Sequence, residues 1–323
     1  MSQTTTTPID AVGGWPAVLG RLVAGDDLSA PEAHAALATV LSGEATAAQT
    51  AGLIVALRMK GESVDELVGM VDAMLDAAMA LDLPAETIDI VGTGGAPQRR
   101  VRALNVSTMS CVVAAAAGAT VCKHGNIKAS STSGSFNLLD QLGVPYDVSP
   151  DRLAEQVRTI GLGFCFARAY HPAMRHAGPV RAELGVPTVF NVLGPLSHPG
   201  RVTRQVVGVG DARSVSLVAE VLAARGTRAL VVHGIDSLDE LTLSGATTVL
   251  DVRDGVVTPT EVSPADVGLS VVAPADMPGG TPEDNLAIAH DVLGGGVGPA
   301  RDIVVLNARA AIYVSGQVDS IAA

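Results

Sequence analysis

Residues 87–95 read TIDIVGTGG, a short β-branched run that passes at once into glycines. A run of this kind is a buried strand ending in a tight loop. The next helix-compatible segment, VSTMSCVVAAAA (106–117), stops at Gly118. Strand, glycine loop and helix in that order form the repeating unit of a parallel α/β sheet. Downstream, ATVCK (119–123) gives a second strand, and residues 135–142 give a second short helix ended by Gly143. QVVGVG (205–210), ALVVHG (229–234) and DIVVLN (302–307) are further short apolar runs read as strands, with helical stretches such as SVSLVAEVLAARG between them. Residues 270–282 read as a loop. The pattern predicts a large α/β domain with a mainly parallel central sheet.

Upstream of residue 84 the periodicity is helical throughout. PEAHAALATVLSG has Ser29 as N-cap and Gly43 as stop, ATAAQTAGLIVALRMKG ends at Gly61, and SVDELVGMVDAMLDAAMAL has Ser63 and Glu66 in capping-box register. No alternating β-branched run interrupts these segments, so residues 1–84 are expected to form a small helical N-terminal domain.

The composition narrows the function classes. The chain has 323 residues, 48% hydrophobic and 17% charged, ample for a core and inconsistent with global disorder. Its formal net charge of −12, without a basic run, speaks against general nucleic-acid binding. With one Trp, three Tyr and four Phe it lacks a stacking platform for single strands. No stretch approaches the roughly 18 apolar residues of a membrane span, and the N-terminus, MSQTTTTPID, lacks the basic and apolar regions of a secretory signal. Cys111, Cys122 and Cys165 are odd in number and widely spaced, against a disulfide framework or zinc finger and in keeping with a reducing cytoplasm.

Four loops carry the chemistry. Gly92-Thr93-Gly94-Gly95 lets backbone N–H groups close on an oxyanion ahead of a helix that starts near Asn105, Ser107 and Thr108. Taken alone it also fits an ordinary strand-to-helix turn, and it is neither a Walker loop nor a dinucleotide fingerprint. Lys123-His124-Gly125-Asn126 follows the second strand and, if the strands are parallel neighbours, lies beside the first loop. Ser130-Ser131-Thr132-Ser133-Gly134-Ser135 offers five hydroxyls at a helix start where a plain cap needs one. Asp239-Glu240, after ALVVHG, is a carboxylate pair suited to Mg²⁺, although an isolated acidic pair is usually a surface feature. Two anion nests, a lysine and an acidic pair suit a sugar with phosphate at one end and pyrophosphate at the other.

The ordered set DIVGTGG (89–95), NVST (105–108), KHGN (123–126), SSTSGS (130–135), HPAMRHAGPVRAELG (171–185), TVFNVLGPLSHP (188–199), QVVGV (205–209), VVHGIDSLDEL (231–241) and NARAAIYVSG (307–316) resembles the anthranilate phosphoribosyltransferase family over nearly the whole chain. The resemblance implies a small helical domain (1–84, joined by about 169–190) on a larger α/β domain (85–168 and 191–323), a fold shared with class II nucleoside phosphorylases. It implies transfer of phosphoribosyl from phosphoribosyl pyrophosphate (PRPP) to the amine of anthranilate, with Mg²⁺, in a cytoplasmic homodimer. Carried over by residue, Gly92, Thr93, Gly94, Gly95, Asn105, Ser107, Thr108 and Lys123 would hold the pyrophosphate end, and Ser130, Ser131 and Ser135 would line the sugar-phosphate part. Ser107, Asp239 and Glu240 would serve the metal. Asn126, His124 and Arg181 would face the aromatic acid, Arg181 pairing with its carboxylate, and Pro195 would line its approach. Lys123, Arg181 and His124 would carry the catalysis.

The sequence departs from the family pattern at three places. Ala96-Pro97 replace an Asp-Gly pair, in a stretch to Leu104 that carries Arg99, Arg100 and Arg102. Those arginines either bind phosphate or are solvated. Ile127 stands where the family tends to have Arg, and Asn137 where it has Asp. The departures keep open another aromatic acceptor or a non-catalytic binding relative, and the shared fold keeps open a phosphorylase-like enzyme.

Overall fold

The computed structural model describes residues 8–96, 102–127 and 132–322. The chain forms two compact units, one of Met1–Ala80 with Arg168–Arg201 and one of Leu81–Ala167 with Val202–Ala323.

The first unit opens with α1 (Gly14–Ala24), α2 (Ala30–Ser42), α3 (Ala47–Lys60) and α4 (Val64–Asp76). Ser29, Gly43, Ser63 and Glu66 act as the cap signals read from the sequence, and Glu32 adds one that was not read. Ser29 and Glu32 close a capping box on α2, Ser63 and Glu66 close one on α4, and Gly43 ends α2 in the left-handed conformation. α2 packs on α4 and α1 on α3, around Leu37, Leu53, Leu57, Leu67 and Met70. The α2–α4 approach is close enough that a Cβ on Gly69 would lie 2.0 Å from the Ala30 carbonyl oxygen.

The second unit then begins with β1 (Ile88–Gly92), α5 (Val106–Ala116), β2 (Val121–Gly125), α6 (Ser135–Leu142), α7 (Pro150–Ile160) and β3 (Leu162–Phe166). After α8 (Ala167–Tyr170), the chain contributes α9 (Met174–Leu184) and α10 (Phe190–Leu196) to the helical unit, α9 packing on α2 and α3. The rest completes the α/β unit: β4 (Arg204–Gly208), α11 (Val215–Ala224), β5 (Arg228–Gly234), β6 (Thr247–Arg253), β7 (Val256–Val262), α12 (Pro282–Leu293) and α13 (Pro299–Ser315). Among the described residues one sheet runs in the order β3-β2-β1-β4-β5-β6-β7. β3 through β5 pair in parallel, and β6 and β7 are antiparallel. α5 and α13 pack on each other and on β1, and α11 packs on β5 and β6. None of the described helices is long and apolar enough to cross a membrane.

One expected strand is a helix. DIVVLN (302–307) lies inside α13, which begins with Pro299 at its first turn and ends at Gly316 in the left-handed region. The β-branched run continues into ARAAIYV, and the buried residues fall at 303, 304, 306, 307, 308, 310 and 311, a helical spacing. Burial against α5 and the alanines outweigh the local strand preference. Three strands were not read from the sequence. β3 is a single short run, LGFCF. β6 and β7 form a hairpin closed by Asp254-Gly255, whose φ values of 52° and 77° match a type I′ turn. Pro259 is tolerated in β7 because that strand is the sheet edge.

Candidate active site

The chain order reverses between β1 and β4: β2 and β3 lie to one side, β5 to the other. Ligands of open α/β sheets bind beyond the carboxyl ends of strands at such a switch point, and the glycine loop leaves β1 there. Thr93 bridges the two strands, its N–H donating to the Gly208 carbonyl (2.9 Å) and its hydroxyl accepting from Gly210 N–H (3.0 Å). Gly94 and Gly95 have φ of 69° and 90°, a left-handed path open to glycine.

The acidic pair, in the segment that follows β5, reaches this loop over the ends of β1 and β4. Asp239 and Glu240 are buried, 3% and 5% exposed, so they are not the surface pair an isolated Asp-Glu suggests. Asp239 Oδ2 accepts from Gly94 N–H at 2.8 Å, and Glu240 Oε1 accepts from Ser107 N–H at 3.1 Å, at the N-terminus of α5. The approach is permitted by missing side chains. A Cβ on Gly92 would lie 2.3 Å from Asp239 Oδ2, and one on Gly208 would lie 1.7 Å from the Asp239 carbonyl oxygen. Asn307 of α13 anchors the following residue, accepting from Leu241 N–H and donating to the Leu241 carbonyl. Two adjacent carboxylates beside two backbone N–H nests make an all-oxygen donor set suited to Mg²⁺, and a cavity of about 70 Å³ opens beside Glu240, lined also by Arg102, Leu104 and Thr242.

β2 carries the second loop. Lys123 is 2% exposed, with Nζ donating to the Ile90 carbonyl at 2.5 Å, so its charge lies beneath the end of β1. Next to it is Asp89, fully buried, whose Oδ1 accepts from His124 N–H at 2.9 Å and which Gln205 also hydrogen-bonds. Burial pushes the Asp89 carboxyl up to about 7, against the pull of the Lys123 charge. Asp89 escaped the sequence reading although it opens the DIVGTGG motif. A charged residue inside an otherwise apolar strand was the signal. His124 is buried at 3%, while Asn126 is exposed and its Oδ1 accepts from Ile127 N–H.

The remaining candidates fall into three groups. Asn105 caps α5, but its amide is engaged by Ser133, whose hydroxyl donates to Asn105 Oδ1 at 2.8 Å. Thr108 is buried and Ser135 opens α6. Of the departures, Ile127 packs partly buried against the core, and Asn137 serves as a cap, its Oδ1 accepting from Gly134 N–H. Arg102 Nη1 donates to the Ala275 and Met277 carbonyls (3.3 Å each). Ser130, Ser131, Pro97, Arg99 and Arg100 lie outside the described residues. Arg181 and Pro195 belong to the helical unit. Arg181 lies on α9 with its guanidinium 4.8 Å from the centre of the Phe190 ring, and burial lowers its pKa. Burial also pushes His171, which precedes α9, down to about 4, so it is neutral.

Comparison with known proteins adds to this geometry. Residues 84–323 match the model of the glycosyl transferase family a/b domain, and residues 16–78 match that family's helical bundle domain. The chain is 46% identical over 319 residues to the anthranilate phosphoribosyltransferase of Arthrobacter sp. (strain FB24), covering 98% of this chain and 90% of that one. The crystal structure of the Thermus thermophilus anthranilate phosphoribosyltransferase superposes with a TM-score of 0.88 at 41% identity, over 94% of this chain and 91% of that one. The Saccharomyces cerevisiae anthranilate phosphoribosyltransferase in complex with PRPP and Mg gives a TM-score of 0.84 at 26% identity, over 95% and 90%. The same yeast protein has also been solved with 4-fluoroanthranilate.

Proposed function

The chain belongs to the anthranilate phosphoribosyltransferase family, and on that premise we propose that it transfers the 5-phosphoribosyl group of PRPP to the amine of anthranilate, a step of tryptophan biosynthesis. The observation that carries this reading is the placing of Asp239 and Glu240 on the Gly94 and Ser107 N–H groups. One spot in the fold gathers anion-binding donors and the oxygens that can hold their counter-cation.

In the reaction the acceptor nitrogen bonds to C1 of the ribose as the bond from C1 to pyrophosphate breaks. Negative charge grows on the leaving group. The glycine loop and the α5 N-terminus, whose Gly94 and Ser107 N–H groups must first be released by Asp239 and Glu240, stabilise it together with the buried Lys123 charge. Asp239, Glu240 and Ser107 would hold Mg²⁺, which when bound neutralises further charge on the pyrophosphate. By the family resemblance Arg181 would pair with the acceptor carboxylate. The amine then loses a proton to water or to the His124 ring. Backbone donors, lysine and metal act locally against a net charge of −12.

We also take the protein to work in the cytoplasm as a homodimer joined through its helical unit. Val23 and Met59, 80% and 83% exposed on α1 and α3, are apolar side chains that such a contact would cover.

The test mixes the protein with Mg²⁺, PRPP and anthranilate and follows loss of anthranilate fluorescence with release of pyrophosphate. Equimolar consumption and release is expected. Pyrophosphate release with another aromatic amine but not with anthranilate would replace the acceptor. Cleavage of nucleosides by inorganic phosphate would move the chain to the phosphorylases.

A further inference from the structure

The two ends of the loop that follows β1 are held differently. The first end is bonded to β4 and to Asp239, as described above. The second end, residues 103–105, is held by a buried polar cluster with no part in the reaction as proposed so far. At its centre is Asn285 of α12, 0% exposed. Its Oδ1 accepts from Asn105 N–H at 2.9 Å, and its Nδ2 donates to the Ala103 and Thr281 carbonyls at 2.9 Å and to the Gly280 carbonyl at 3.4 Å. Thr132 makes a second strut. Its hydroxyl accepts from Ala103 N–H (2.9 Å) and donates to the Gly280 carbonyl (2.7 Å). Gly280 N–H in turn donates to the Ala103 carbonyl (2.9 Å). The backbone N–H and carbonyl of Ala103 are thus satisfied by Thr132, by Asn285 of α12 and by Gly280 ahead of that helix.

We infer that Asn285 and Thr132 are positioning residues for PRPP, clamping residues 103–105 so that the first turn of α5, with its Ser107–Glu240 contact, is held in place at the pyrophosphate end of the site. This rests on the proposed function. The physical reason is adjacency along the chain. Asn105 is the cap of α5, and Ser107, two residues on, presents the N–H that Glu240 accepts. A peptide unit has two soft torsions per residue, so an untethered Asn105 would let the first turn re-aim its donors. Asparagine is a poor helix former, yet one stands inside α12 with its amide turned to these partners. Neither residue touches the reacting atoms, and both act through Asn105.

The experiment compares Thr132→Val, which swaps a hydroxyl for a methyl at constant shape, Thr132→Ser, which restores it, and Asn285→Asp, which keeps the acceptor for Asn105 N–H and loses the donors. Calorimetry gives Kd for PRPP and for pyrophosphate, each with Mg²⁺. Steady-state rates give KM for both substrates, and melting gives Tm. Misaimed donors should weaken PRPP and pyrophosphate by about fivefold to a hundredfold in Thr132→Val and Asn285→Asp. The anthranilate KM at saturating PRPP should stay within about twofold, and Thr132→Ser should match the wild type. The two substitutions together should cost less than the product of the singles, because they load the same peptide. Wild-type Kd values in a Thr132→Val protein of unchanged Tm would overturn the inference, as would equal losses for both substrates. Thr132→Val decides the matter if Asn285→Asp does not fold. A wild type that binds pyrophosphate but leaves anthranilate untouched would instead overturn the proposed acceptor, with the binding comparison still readable.

Discussion

Gly208→Ala adds one carbon at the point where the acidic pair meets the sheet. The new Cβ would lie 1.7 Å from the Asp239 carbonyl oxygen, 2.4 Å from its carbonyl carbon and 3.1 Å from its Cα. All three atoms are backbone, so no rotamer change relieves the overlap. Ordinary contact needs about 3.5 Å, so the Asp239 peptide must retreat by roughly 1.5–2 Å. Overpacking of this kind costs about 1–3 kcal/mol. The retreat also withdraws Asp239 Oδ2 from Gly94 N–H and Glu240 Oε1 from Ser107 N–H, charge-assisted bonds worth about 1.5–3 kcal/mol each. The terms overlap, and a net loss of about 2–4 kcal/mol follows. At about 2–4 °C per kcal/mol for a chain of this size class, Tm should fall by roughly 4–16 °C. Activity at saturating PRPP should fall on the order of a hundredfold, because the carboxylates leave the nest. Differential scanning fluorimetry and the anthranilate assay read both. Gly20→Ala is the control: its Cβ meets nothing within 4 Å in α1, and the helix should be unchanged or gain about 0.5–1 kcal/mol. A Gly208→Ala protein with wild-type Tm and turnover would refute the close-approach reasoning outright.

Three further outcomes are expected. Asp239→Asn with Glu240→Gln keeps shape and burial while removing charge. It should lower Mg²⁺-dependent turnover by a hundredfold or more, on the order expected for loss of one transition-state stabiliser, with circular dichroism unchanged, and near-normal turnover would remove the pair from the metal site. Arg181→Ala should raise the anthranilate KM by about tenfold to a hundredfold while leaving PRPP affinity within twofold. A methyl ester of anthranilate, poor for the wild type, should be no worse than anthranilate for this variant, and equal discrimination by both proteins would place Arg181 elsewhere. His171 is held at about 4, below its ordinary 6.5, so between those values the unfolded chain binds the extra proton. Its contribution to stability is therefore complete above about pH 6.5 and is lost as pH falls toward 4, by up to about 3 kcal/mol. His171→Gln should show a smaller drop in Tm between pH 7 and pH 4.5 than the wild type, and an identical drop would contradict the assignment.

Local signals in the chain determined the elements whose cause is local. Ser29 and Glu32, Ser63 and Glu66, Gly43 and Gly143 mark helix ends because caps and left-handed stops act within a few residues. TIDIV followed by glycines likewise marks a strand and its loop. DIVVLN misled because a four-residue apolar run such as its IVVL is the same in a buried strand and a buried helix, and only packing of α13 on α5 decides between them. The hairpin of β6 and β7 was written in Asp254-Gly255, but its flanking runs mix in polar residues and do not stand out as apolar. What the tertiary structure alone decided is which groups face one another. It buried Asp239 and Glu240 on N–H donors 145 and 133 residues away, where sequence favoured a surface pair. It buried Asp89 on β1 within the field of Lys123 on β2, and it turned Asn285 onto Asn105, 180 residues apart. Sheet order and helix docking create such contacts. Their energies depend on distance and burial in space, and no short window of sequence contains either.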